Sequence, residues 1–256
     1  MIRFVDLKQQ DKIHKKKILN SIKKILNRTD YINGHDVTKF EETFNKKYNF
    51  KYSSLVSSGT DALYLSLKTL AKKFKSGEII TTPFTFFATS EIIINAGFTP
   101  VFADIDKETY NILPKSISEK INKRTIGIIP VHIFGYPCDM QNIIKIAKLN
   151  KLFVIEDCAQ ATGASINNKF VGSFGDINAF SFYPTKNLGA YGDAGLISTK
   201  SKTYSDYINL LKTHGAKKPY IHEIVGENSR CDSIQAAVLN EKIVNYNRIL
   251  NKRKIC

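Results

Sequence analysis

Two short stretches of this chain carry residue types that together could run imine chemistry. Ser181-Phe182-Tyr183-Pro184-Thr185-Lys186-Asn187 places a lysine just past an apolar run that reads as a buried strand. Upstream, Leu152-Phe153-Val154-Ile155-Glu156-Asp157 ends a second such run on a carboxylate, followed by Cys158-Ala159-Gln160. A lysine amine condenses with an aldehyde, and an aspartate at a pyridine nitrogen keeps that ring protonated and electron-withdrawing. The pair is the minimum that a protein contributes to pyridoxal 5'-phosphate (PLP) chemistry. A lysine with an ordinary pKa of about 10.4 is a poor nucleophile at neutral pH. Partial burial beside a cationic ring would lower it, and the freed amine could then carry a proton between cofactor and substrate carbons.

Other residues fit around that pair. Ser58-Gly59-Thr60-Asp61 joins a predicted strand to a predicted helix. Gly59 allows close backbone approach to an anion, Thr60 adds a hydroxyl, and the first-turn amides favour phosphate. Thr85-Phe86-Phe87-Ala88-Thr89 offers an aromatic platform for a flat ring. Gln160 would lie against that ring or its phenolic oxygen. His132 ends a predicted strand and is a candidate substrate contact, as is Tyr191. Each feature also has a plainer reading. Ser58 and Asp157 can be helix caps, Phe86 and Phe87 core, His132 a packed histidine and Lys186 a surface lysine. Gly189, Gly192 and Gly195 are three apart and do not match the dinucleotide G-x-G-x-x-G pattern. His14, His35, His132, His214 and His222 have no metal-ligand spacing, so no metal is expected.

The elements that must position these residues alternate along the chain. Strands are expected at 52–56, 78–82, 100–103, 126–132, 152–156, 179–182 and 196–199. Helices are expected at 8–27, 36–48 (capped by Asp36), 61–73, 89–96 and 140–150. Continuously apolar strands such as Ile126-Gly127-Ile128-Ile129-Pro130-Val131 indicate an α/β fold with a mainly parallel, mixed sheet covered by helices on both faces. Ligands of such sheets collect beyond the carboxyl ends of the strands, where Asp157 and Lys186 fall. Asp232 with Gln235 reads as a capping box opening a last helix with the apolar stripe Leu239, Ile243, Tyr246 and Leu250. The sequence stops at Lys254-Ile255-Cys256, before any partner for that stripe, which points to a fragment or a truncated reading frame.

Composition bounds the rest. The 256 residues suffice for one large α/β domain, and 43% hydrophobic with 24% charged is ordinary for a globular protein. The formal net charge of +15 comes from a lysine-biased composition without a nucleic-acid motif, so no nucleic acid is expected as a partner. Met1-Ile2-Arg3-Phe4-Val5-Asp6 lacks a signal-peptide apolar core, and no apolar run reaches membrane-spanning length. Cys138, Cys158, Cys231 and Cys256 are scattered, as expected for reduced thiols in the cytoplasm.

The chain resembles the sugar aminotransferases of the DegT/DnrJ/EryC1 family, within PLP fold type I. The likeness runs in order through Phe4-Val5-Asp6-Leu7, Ile32-Asn33-Gly34, Ser58–Leu63, Thr85-Phe86, His132-x-x-Gly135, Glu156–Ala161, Ser181–Gly195 and Gly226–Asp232. It implies the fold type I large domain, with a seven-stranded-type sheet, over residues 1–230, the first 30 forming an N-terminal helical segment. Residues 231–256 would open a connecting helix to a smaller C-terminal domain that is absent here. It implies Lys186 as the Schiff-base lysine, Asp157 at the pyridine nitrogen, Gln160 against the cofactor and Phe86 stacked on the ring. Gly59, Thr60, Asp61 and Ser181 would hold the phosphate. Asn228 would reach the phosphate in a neighbouring subunit, giving a homodimer with shared sites. The implied reaction moves an amino group from an amino acid, expected to be glutamate, to a nucleotide-linked keto-deoxysugar. The Ser-Phe-Tyr-Pro-Thr-Lys-Asn form is similar to 3-keto-sugar enzymes, and the product would feed O-antigen, capsule or glycan synthesis. Many members have histidine where Thr162 stands. Two alternatives are a PLP-dependent sugar 3-dehydratase, against which Lys186 argues, and a truncated inactive remnant or binding protein.

Overall fold

The computed structural model describes residues 7–8 and 12–253. The Phe4-Val5-Asp6 part of the first motif, the stretch 9–11 of the expected first helix, and Lys254-Ile255-Cys256 lie outside the described residues. In chain order the helices are α1 Lys15–Arg28, α2 His35–Tyr48, α3 Gly59–Leu70, α4 Ala88–Asn95, α5 Pro114–Lys120, α6 Met140–Leu149, α7 Lys202–Leu211, α8 Ser233–Ile243 and α9 Tyr246–Arg253. The strands are β1 Tyr52–Val56, β2 Glu78–Thr81, β3 Thr99–Phe102, β4 Thr125–Ile128, β5 Phe153–Asp157, β6 Ser165–Ile166, β7 Lys169–Phe170, β8 Ile177–Ser181, β9 Gly195–Thr199, β10 Ala216–Lys218 and β11 Ile221–His222.

Seven strands form one sheet in the order β1-β9-β8-β5-β4-β2-β3, while β6-β7 and β10-β11 are small hairpins. β9 pairs antiparallel with both β1 and β8, and the other neighbours pair parallel. β9 therefore runs against the other six. The carboxyl ends of β1, β5 and β8 and the start of β9 meet at one edge of the sheet.

Both faces of the sheet are covered, and the two-residue period of the strands sorts their side chains. Val56, Ile79, Ile129, Ile155, Ala179 and Ile197 pack with α3, α4 and α7. Their sequence neighbours Leu55, Phe180 and Leu196 pack with Phe40 and Phe44 of α2 and Leu239 of α8. Ile80, Ile128 and Val154 meet Ile117 of α5 and Ile143 of α6. The helices α5 and α7 are absent from the sequence expectation: α5 has Ile117 as its one aliphatic position, whereas α7 carries Tyr204, Tyr207, Ile208 and Leu211 at helical spacing.

Three local expectations are corrected. Asp36 does not cap α2: Gly34 holds that position, the His35 amide donates to Asp30, and Asp36 pairs with Arg28 instead. The Asp232/Gln235 capping box does not form, because Gln235 accepts the Tyr191 amide. The stripe Leu239, Ile243, Tyr246, Leu250 is not bare. The helix is interrupted at Val244-Asn245, between α8 and α9, and these residues pack onto Phe44, Tyr48 and Ala161 in the same core. Ile18 and Ile25 of α1 are fully buried, while Leu19 and Leu26 face outward.

Candidate active site

A cavity of about 510 Å³ opens where the strand ends converge. Ser58, Gly59, Thr60, Phe86, Thr89, Asp157, Gln160, Ser181 and Lys186 are among its lining residues. Residues as far apart in sequence as Ser58 and Asp193 meet there because β1, β5 and β8 deliver their carboxyl ends to one edge.

At the head of α3, Ser58 caps the helix by accepting the Asp61 amide at 3.0 Å. The Gly59 and Thr60 amides lie in the first turn, which has no intrahelical acceptors. A Cβ on Gly59 would sit 2.5 Å from the Ser181 Cβ, so only glycine lets this turn close against β8. The result is an anion cradle of backbone donors with the Ser181 hydroxyl beside it. Asp61 does not line the cavity. Its carboxylate accepts from Ser57, which removes an anion from the cradle.

Asp157 ends β5 and is 3% exposed. Its Oδ2 accepts the Thr89 hydroxyl at 2.9 Å and its Oδ1 the Ala159 amide at 3.1 Å. Thr89 in turn lies 3.1 Å from the Thr85 hydroxyl. Burial pushes the Asp157 carboxyl above its ordinary value, against the Ala159 amide, Thr89 and the charge of Lys186. Burial likewise lowers Lys186, against the pull of Asp157. Each carboxylate oxygen keeps a free lone-pair direction for a further donor.

Lys186 lies in the excursion from Phe182 to Ala194. The Phe182 amide donates to Ala194 and its carbonyl accepts from Ala190, which pinches the loop shut. Asn187 donates to the Gln160 carbonyl at 3.2 Å, joining the lysine loop to the segment after β5. Gln160 Oε1 accepts the Phe134 amide at 2.8 Å. Phe86, 71% exposed, stands at the mouth as a flat wall rather than as core.

Besides Asp61, three expected residues lie elsewhere. His132 is 0% exposed; its Nδ1 accepts the Cys138 amide and its Nε2 lies 3.0 Å from Glu156 Oε2. The ring proton therefore sits on Nε2, and His132, whose amide donates to the Asp157 carbonyl, is enclosed behind that strand end and does not line the cavity. Glu156 also accepts amides of Gly172, Phe174 and Gly175. Burial opposes its ionisation, yet His132 and those amides hold its carboxyl below the ordinary value. His132, Glu156 and Cys158 offer ligand atoms within 4.8 Å of one another, but both ring nitrogens are already engaged. Tyr191 sits outside the cavity under the Lys242 ammonium, 4.4 Å from its ring centre. Asn228 is exposed on the loop that runs beside β1, bridged to Thr213, and does not line this cavity. Thr89, the hydroxyl that aims Asp157, was not singled out from sequence. Nothing in the sequence of Thr89 signals a contact 68 residues away.

The model of the DegT/DnrJ/EryC1/StrS aminotransferase family matches residues 12–256. The chain belongs to the DegT/DnrJ/EryC1/StrS aminotransferase family. This family is PLP-dependent. A curated relative, UDP-N-acetyl-3-dehydro-alpha-D-glucosamine 3-aminotransferase of Acidithiobacillus ferrooxidans, is 42% identical over 238 residues, covering 93% of this chain and 64% of the relative. The structure of DesV from S. venezuelae superposes with a TM-score of 0.93 at 32% identity, over 96% of this chain and 66% of that one. The Bacillus subtilis NtdA structure, solved with bound PMP, gives 0.89 at 31% identity, over 94% of this chain and 55% of NtdA. The chain thus spans about two thirds or less of these family members' length. Among the described residues, no helix is long and apolar enough to cross a membrane.

Proposed function

We propose that this chain binds PLP and transfers an amino group from an amino acid, glutamate, to the 3-keto carbon of a nucleotide-linked deoxysugar for surface polysaccharide or glycan synthesis. The observation that carries this reading is one cavity holding a buried, doubly hydrogen-bonded Asp157, the Lys186 amine, the Gly59–Thr60 amides and the Phe86 wall. An anion cradle, a flat wall and a buried acid are what a phosphorylated pyridine ring requires.

PLP, when bound, supplies an electron sink for bonds at the amino carbon. The remaining work falls to the chain. The Gly59 and Thr60 amides and the Ser181 hydroxyl bind the phosphate. Asp157, aimed by Thr89 and the Ala159 amide, holds the proton at the pyridine nitrogen. Gln160 has its Oε1 taken by the Phe134 amide, so its Nε2 would be the donor available to the cofactor. Phe86 covers one ring face and excludes water. Lys186, whose amine burial pushes toward the neutral form, would hold the cofactor and would be the group that takes up and returns the proton at the amino carbon. In balance, the ketone oxygen leaves as water in one half-reaction, a water taken up in the other supplies the keto oxygen of the donor's 2-keto acid, and the nitrogen passes to the sugar with no net water.

The partner is a second copy of this chain. Asn228, exposed and away from its own cavity, would serve the partner's phosphate site. Exposed Phe84, Phe86, Phe87, Phe134 and Tyr136 beside the cavity supply an apolar face for that contact. The free, buried thiols of Cys138, Cys158 and Cys231 support a reducing cytoplasmic setting.

The test is incubation with PLP, glutamate and a UDP-linked 3-keto sugar, read by mass spectrometry. Replacement of the ketone oxygen by an amine, dependent on Lys186, is expected. Unchanged sugar in a sample that binds PLP would contradict the assigned reaction.

A further inference from the structure

Helix α8 touches the lysine loop through two residues seven apart, which share one helix face. Gln235 Oε1 accepts the Tyr191 amide at 2.9 Å. Lys242 donates from Nζ to the Gly189 carbonyl at 2.8 Å, and the same ammonium lies over the Tyr191 ring. Lys242 is only 3% exposed. A lysine taken from water this completely costs stability unless its charge is engaged, so its partners are what it holds in place.

Gly189 is coupled to Lys186 through the loop itself. A Cβ on Gly189 would meet the Pro184 carbonyl oxygen at 2.3 Å, so residues 184 and 189 are in direct backbone contact. Between them the Lys186 amide donates to the Tyr183 carbonyl at 2.8 Å. Fixing Gly189 therefore fixes the turn that presents Lys186. The opposite side of α8 is anchored independently. Asn240 donates to the Asp36 carbonyl at 2.9 Å, and Glu241 accepts the Ser21 hydroxyl at 2.8 Å. The helix is thus a rigid bar between α1, α2 and the lysine loop.

We propose that Lys242, assisted by Gln235, is a positioning residue for Lys186, holding the loop that sets the depth of its amine beside Asp157. Lys242 does not line the cavity; it acts through Gly189 and Tyr191. The inference rests on reading Lys186 as the reacting amine, but the geometry it concerns is measurable without turnover.

The experiment measures the reactivity of Lys186 toward acetic anhydride across pH, by peptide mass spectrometry, in the native chain and in Lys242→Met, Lys242→Arg and Gln235→Leu. The native midpoint lies below that of an exposed lysine. Lys242→Met raises it by about one pH unit, toward an exposed lysine, Gln235→Leu moves it the same way, and Lys242→Arg restores it. Gln235→Leu loses a single acceptor and keeps the test alive if Lys242→Met does not fold. An unchanged Lys186 midpoint in the folded variants, with only a lower melting temperature, assigns Lys242 to structure alone and overturns the inference. Failure of the PLP reading registers separately, as no Lys186-dependent absorption when PLP is added to the native chain.

Discussion

Thr89 donates its hydroxyl to Asp157 Oδ2 at 2.9 Å, linking the first turn of α4 to the end of β5. The bond stabilises the ionised form of a carboxylate that burial pushes the other way. Asp157 can hold a protonated ring nitrogen only while ionised. Its folded pKa is raised, so cofactor binding weakens as pH falls through that raised value.

Thr89→Val removes the donor and raises the Asp157 pKa further. A hydrogen bond to a charged group contributes about 1.5–3 kcal/mol, equivalent to roughly one to two pH units. The acid limb of PLP binding should move to higher pH by about that amount. A PLP titration of native and variant protein across pH checks this; superimposable acid limbs would contradict it.

Gly59→Ala places a Cβ 2.5 Å from Ser181 Cβ and 3.1 Å from its Cα, where backbone must shift. Such overpacking costs about 1–3 kcal/mol, and it opens the cradle. PLP affinity should fall by roughly tenfold or more. Native affinity in this variant would show that the cradle does not hold the phosphate.

The legibility of these residues from sequence differed with the kind of signal. Strand ends carrying Asp157 and Lys186 were readable because an apolar run announces a buried strand and its polar successor announces the edge. Strand β1 at 52–56 came out as expected because its flanking turns are local. The capping assignment at Asp232 failed because Gln235 has a better partner in Tyr191, fixed only by tertiary packing. His132 looked like a site residue for the same reason that Asp157 did, ending a strand. The structure turns its ring away, into the buried carboxylate of Glu156. The periodicity of α8 could not reveal that its stripe is covered by α2, since that contact spans about two hundred residues.

Glu156 offers the clearest stability test. Its two oxygens accept four N–H groups, from His132, Gly172, Phe174 and Gly175. Glutamine in its place turns one acceptor into a donor facing donors. Glu156→Gln should cost about 3–5 kcal/mol at neutral pH by urea unfolding. The native carboxyl is held below its unfolded value. Its contribution is therefore complete above the unfolded pKa and is lost as pH falls through the lower folded one. The gap between native and variant should close over that acid range. A gap independent of pH would mean that the carboxylate charge contributes nothing.

The central claim is that Lys186 and Asp157 form a PLP site. It is tested most directly by the visible absorption spectrum of the purified chain with PLP, recorded beside Lys186→Ala and Asp157→Asn. The native chain should show a band distinct from free PLP that bleaches on adding glutamate. Lys186→Ala should lack it, and Asp157→Asn should need a much higher PLP concentration to show it. Spectra that match free PLP in all three proteins would contradict the account.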